Sequence, residues 1–165
     1  MRVLGIDPGT QVVGYGFVDM ESGRFRNVEF GEIRPPKDVA FSARLADIHR
    51  SVQELIDRVR PEAVSVEEAY VTINAKTTLR LGHARGVILL AAVQRGVAVA
   101  EYAPREIKMA VLGRGGAAKA QIQWMVCQVL HLDPACVSED AADALAAAVC
   151  HAFRSTGAAQ SFRRP

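Results

Sequence analysis

Val3-Leu4-Gly5-Ile6-Asp7-Pro8-Gly9-Thr10 is the stretch that decides the fold. Its first four residues form a short apolar run, the mark of a buried strand, and the run ends on an acid. Pro8-Gly9 then turns the chain at once. Outward from there the strand pattern continues. Residues 12–18 carry β-branched and aromatic side chains, and residues 25–33 resume the pattern after Glu21-Ser22-Gly23. Two tight connections of this kind predict a three-stranded antiparallel meander. Pro35-Pro36 ends it.

The period then changes. Leu45, Ile48, Val52, Leu55, Ile56 and Val59 recur at three and four residues, which predicts an amphipathic helix stopped by Pro61. A short apolar strand over 63–66 follows, with Glu67-Glu68 at its end. The pattern then predicts a helix over 77–94 and a strand over 97–102. Pro104 suits the first turn of a third helix. Gly113, Gly115 and Gly116 make a loop around Arg114, and two last helices cover 117–130 and 139–153, the second with Ser138 as N-cap. Strand–helix alternation after a meander predicts an α/β domain with a mixed five-stranded sheet flanked by helices. Residues 1–153 read as one domain, and residues 154–165, polar and rich in small side chains, as a flexible C-terminal tail.

Composition excludes several classes. Half of the 165 residues are apolar, enough for a sizeable core, so disorder is not expected. Cys127, Cys136 and Cys150 are odd in number and form no C-x-x-C, which argues against a disulfide framework or zinc site and for reduced thiols in the cytoplasm. No apolar run reaches the ~20 residues of a membrane span. The net charge is only +2. It is unevenly spread, however: from Lys76 to Lys119 there are eight basic residues against Glu101 and Glu106 alone. Such clustering suits a phosphate-contacting surface as well as ordinary solvated helix faces.

Four carboxylates stand out. Asp7 and Glu67 each end a strand. Asp140 and Asp143 lie three apart in Ser-Glu-Asp-Ala-Ala-Asp-Ala-Leu, a spacing that puts both on one helix face among small apolar residues. Carboxylates in such surroundings need a partner. If the first and fourth strands are neighbours, their acids end close together and the last helix can lie over them. Four hard oxygen donors without His or Cys suit Mg²⁺ or Mn²⁺, and carboxylate clusters of this kind support two-metal phosphodiester hydrolysis. Taken singly, Asp7 is equally a turn residue and Asp140 equally a helix N-terminal charge.

Gly5-Ile6-Asp7-Pro8-Gly9-Thr10, Val66-Glu67-Glu68-Ala69-Tyr70, Leu81-Gly82-His83-Ala84-Arg85-Gly86 and Glu139-Asp140-Ala141-Ala142-Asp143-Ala144-Leu145-Ala146 occur in order over nearly the whole chain. Together they resemble the RuvC family of bacterial Holliday junction resolvases. The resemblance implies an RNase H-like fold. It also implies a metal-dependent endonuclease of recombination and repair, acting as a homodimer that makes paired symmetric nicks across a four-way DNA junction and leaves 5′-phosphates. By the same resemblance Asp7, Glu67, Asp140 and Asp143 are the metal-binding catalytic tetrad for Mg²⁺ or Mn²⁺, two ions per site, with Glu67 rather than Glu68 in the set. Lys108 and Lys119 match basic positions important for catalysis and DNA binding. Tyr70 matches an aromatic position suited to stacking on an unpaired base. Asn74 and Lys76 follow it in a loop expected to touch DNA, and Arg114 is a further DNA candidate. The helix holding Gly82, His83 and Gly86, with Leu79, Val87, Leu90 and Val93, is the expected dimer face. RuvA and RuvB, a branch-migration complex, are implied partners. Trp124 is expected in the core. Two other readings are an RNase H-like nuclease of ribosomal RNA precursors and a non-catalytic junction-binding protein.

Overall fold

The computed structural model describes residues 1–68, 74–113, 115 and 118–157. Tyr70 and Arg114, two of the expected DNA contacts, lie outside them.

Five strands, β1 (Arg2–Asp7), β2 (Val13–Glu21), β3 (Arg24–Ile33), β4 (Ala63–Glu67) and β5 (Ala98–Tyr102), form one sheet in the order β3-β2-β1-β4-β5. The meander is antiparallel, and β1, β4 and β5 run parallel. The mixed five-stranded sheet read from the sequence is therefore present. β1 is central because its alternation serves two cores at once. Leu4 and Ile6 enter the core under α1 (Phe41–Val59) and α2 (Ala75–Gln94), whereas Val3 enters the core on the opposite face. That second core is covered by α3 (Pro104–Leu112), α4 (Lys119–Leu130) and α5 (Glu139–Thr156).

Local chemistry sets the ends of these elements. Arg60 closes α1 in the left-handed conformation at φ 50°, one residue before Pro61. Asn74 caps α2 by accepting from the Thr77 N–H, so that helix starts at Ala75, two residues earlier than the apolar pattern suggests. Ser138 caps α5 as expected, its Oγ accepting from the Ala141 N–H at 3.3 Å. α5 runs to Thr156, taking in Arg154, Ser155 and Thr156 of the expected tail, and ends on Gly157 at φ 68°.

α5 is the helix that organises the molecule. Eleven of its eighteen residues are buried, seven of them alanine. Alanine on the helix meets glycine on the strands. A Cβ on Gly5 would stand 1.9 Å from the Ala144 carbonyl oxygen, and one on Gly14 would stand 2.0 Å from that of Asp140. Missing side chains on both partners let helix backbone rest directly on strand backbone. Ser65 of β4 seals the contact from below, its hydroxyl donating to the Ala147 carbonyl at 2.8 Å.

Two expectations are corrected. Trp124 is 55 % exposed, because α4 buries Ile122, Val126, Cys127 and Leu130 and turns the indole outward. The basic run from Lys76 to Lys119 is not one surface: Arg95, at the far end of α2, is held by both oxygens of Asp57, and Arg85 is paired with Glu101.

Candidate active site

Asp7 and Glu67 are the last residues of two neighbouring parallel strands, and the β1–β4 register pairs Ile6 with Val66 just before them. Both acids share the strand parity of residues that face α5, Gly5 and Ser65 respectively. Glu67 is half-buried and lines a cavity with Asp143, whereas Glu68 is exposed, its N–H donating to the Tyr102 carbonyl. That separates the two glutamates. From above, the close seat of Asp140 on Gly14, the β2 partner of Asp7, brings the N-terminal turns of α5 over the strand ends.

The four acids act on one another. Burial first, then the charges of Asp143, Glu67 and Asp140, push the Asp7 carboxyl up to about 7, against a weaker opposing pull from Lys119. Glu67 is raised by burial and by Asp143, with Lys108 and Lys119 opposing. Asp143 is also raised, chiefly by burial, although Lys119 donates to it. A carboxyl raised first by burial and then by neighbouring acids is one that added positive charge would favour in its ionised form.

Two lysines reach the same place. Lys119 Nζ lies 2.9 Å from Asp143 and 3.4 Å from Glu139. It is the first residue of α4, where the helix dipole disfavours a cation by about 0.3–1 kcal/mol, so the acids opposite must hold it there. Burial works against its charge, but the hydrogen bonds and charges of Asp143 and Glu139 together outweigh that and raise its pKa. Lys108 comes from α3. With Glu67, Asp143, Lys119, Pro104, Ile107, Ile122 and Ala146 it encloses a cavity of about 190 Å³.

The donor set fits a hard divalent cation: carboxylate oxygens only, one of them Asp7 with its raised pKa. Among the described residues no three acids are yet gathered closely enough to share one ion.

The family model of crossover junction endodeoxyribonuclease RuvC matches residues 3–151. The chain belongs to the RuvC family. The crossover junction endodeoxyribonuclease RuvC of Moorella thermoacetica is 50 % identical over 152 residues, which is 92 % of this chain and 91 % of that one. The Thermus thermophilus RuvC structure in complex with Holliday junction substrate is 36 % identical, with a TM-score of 0.87 over 96 % of this chain and 97 % of that one. The yeast mitochondrial Holliday junction resolvase, at 18 % identity and a TM-score of 0.67 over 98 % of this chain and 81 % of that one, shares the fold.

Among the sequence candidates, Asp7, Glu67, Asp140, Asp143, Lys108 and Lys119 meet at this mouth of the sheet. Asn74 serves as the cap of α2, and Lys76 is exposed in that helix's first turn rather than in a loop. Sequence reasoning missed Gly14 and Gly5 as the seats of α5, Glu139 as a second holder of Lys119, and Arg85, whose Nε donates to the Glu67 carbonyl. Glycine inside a strand pattern was the available signal for the first two.

Proposed function

We propose that this chain resolves Holliday junctions by metal-dependent hydrolysis of DNA phosphodiesters. The observation that carries the reading is the convergence of Asp7, Glu67 and the α5 acids, in which burial first and the neighbouring acids second push the Asp7 carboxyl up to about 7. Membership of the RuvC family supports the junction as substrate. Asp7, Glu67, Asp140 and Asp143 hold the cations, Mg²⁺ or Mn²⁺. Bound there, a pair of such ions supplies an activated water and charge for the leaving oxygen. The residues of the chain do the rest. Lys108 and Lys119 bring positive charge to the wall of the cavity, where a scissile phosphate needs it. Lys119, paired here with Asp143 and Glu139, would be available to the phosphate where cations took over the charge of those acids. Tyr70 stacks on a base beside the cut, and the products carry 5′-phosphate and 3′-hydroxyl ends.

The active form is a homodimer, since one domain holds one such site and paired nicks need two. The outer face of α2 supports this: Leu79 and Val93 are 63 % and 64 % exposed, and Leu90 lies between them in sequence. Ala84, Ile88, Ala91 and Ala92 take the inner face, so the outer apolar residues are left over after the monomer's core is satisfied.

The test is cleavage of a synthetic four-way junction with Mg²⁺, beside linear duplex and structured RNA, with incisions mapped to the nucleotide. Two symmetric nicks in the junction alone are expected, with Asp7→Asn binding the junction but not cutting it. Preferential cutting of the RNA, or a wild type that binds without nicking, overturns the proposal.

A further inference from the structure

We propose that Arg85 is a positioning residue for Glu67, tying helix α2 to the active-site end of β4. The Arg85 side chain is 19 % exposed, and its guanidinium makes two contacts with separate donors. Its Nε donates to the main-chain carbonyl of Glu67 at 3.3 Å, and its Nη2 is paired with the Glu101 carboxylate. Glu101 lies on β5 opposite Val66, the residue before Glu67. One side chain therefore joins the Glu67 main chain to the neighbouring strand β5.

The position of that link matters. Glu67 is the final residue of β4: it is still paired with Tyr102 of β5, but it lies past the last pair with β1, Ile6 with Val66. Its N-terminal side is fixed by pairing with β1 and β5, and the Glu68 N–H returns to Tyr102. The Glu67 carbonyl lies at the strand's end, and Arg85 takes it from the α2 face of the sheet while the carboxylate works on the α5 face. A side chain whose own backbone is held in place keeps its orientation. In cation sites, groups that orient a ligand typically change affinity by 10–100-fold when lost. Lysine is a poor substitute, because one ammonium cannot reproduce two donors at fixed angles.

This inference rests on Glu67 being a cation ligand, so the experiment carries its own control for that. Mn²⁺ binding to the full-length protein is measured by calorimetry for wild type, Arg85→Gln, Arg85→Lys, Glu101→Gln and Glu67→Gln, with thermal unfolding and junction affinity in chelator alongside. Arg85→Gln is expected to raise the Mn²⁺ dissociation constant about tenfold, with junction affinity in chelator within about threefold of wild type. Arg85→Lys should recover part of the loss, and Glu101→Gln, which keeps the Glu67 contact, should show a smaller effect in the same direction. Unchanged Mn²⁺ affinity in Arg85→Gln, with Glu67→Gln impaired, overturns the positioning role alone. Unchanged affinity in Glu67→Gln overturns the assignment of Glu67 beneath it. A loss of melting temperature without a change in Mn²⁺ affinity marks a purely structural arginine and also refutes the proposal. Should Arg85→Gln fail to fold, Arg85→Lys decides by the same criterion.

Discussion

Replacing Gly14 by alanine should damage catalysis through the backbone of α5 while adding only one methyl group. The new Cβ would stand 2.0 Å from the Asp140 carbonyl oxygen, 2.4 Å from its carbon and 3.1 Å from the Ala141 nitrogen. All three atoms are main chain, so no rotamer change relieves the clash. Nor is the strand free to yield, because Gly14 is paired with Asp7 on one side and Glu32 on the other. The N-terminal turn of α5 must therefore retreat by about 1 Å, carrying Asp140 and Asp143 away from Asp7. Misplacement of that size costs on the order of 10²-fold in rate, and overpacking of a buried contact costs about 1–3 kcal/mol. For a chain of this length that lowers the melting temperature by roughly 2–4 °C per kcal/mol. Gly16→Ala is the comparison: its Cβ would meet the Leu145 side chain at 2.5 Å, a clash with a core side chain rather than with the backbone that carries Asp140. The assay is single-turnover nicking of a four-way junction at saturating Mg²⁺, with circular dichroism for folding and junction affinity in chelator. Folded Gly14→Ala should bind the junction and cut it about 10²-fold more slowly, with Gly16→Ala much less affected. A Gly14→Ala protein that cuts within a few-fold of wild type refutes the claim that backbone contact sets the acid geometry.

The other predictions concern charge and assembly. In chelator, stability should fall as pH rises from about 4 to about 8, because Asp7, Glu67 and Asp143 hold protons in the folded state that the unfolded chain has already released. Asp19, held low first by its hydrogen bond from Arg2, acts in the opposite sense but only below the ordinary carboxylate range, so the windows separate. Melting curves against pH check this, and Asp7→Asn should flatten the slope. Lys119→Met removes the cation between Asp143 and Glu139; the pH at which Mn²⁺ binding is half-maximal should rise, and an unchanged profile would count against its electrostatic role. Leu79→Asp combined with Val93→Asp should give a folded monomer by sedimentation velocity, whereas an undisturbed dimer would mean that the outer face of α2 is not the interface.

Much of the fold is legible in the chain because it is written locally. The switch from alternation to a three-and-four period after Pro35-Pro36 separates meander from helices, and Ser138 and Pro61 act over one turn. Where two signals compete, local reading loses. Asn74 looks like a loop residue until its side chain is seen accepting from Thr77. Trp124 has apolar neighbours at helical spacings, yet α4 has a single buried face and the indole falls outside it. Arg95 belongs to the basic run in sequence but stands a whole helix away from Lys76 in space, against Asp57.

By itself the sequence singled out the candidates for the chemistry: acids at two strand ends, two acids three apart on a small-residue helix, and lysines on either side of a glycine loop. Residue type and spacing are enough for that, since they set donor hardness and helix face. The resemblance named Glu67 rather than Glu68, and the tertiary structure supplies the reason, Glu67 lining the cavity and Glu68 exposed; only that structure decided that Lys119 rests on Asp143 and that Arg85 meets the strand end from behind. Those relations join elements distant in the chain. They depend on how closely α5 can settle on β1 and β2, and that distance is set by side chains that are absent, at Gly5 and Gly14.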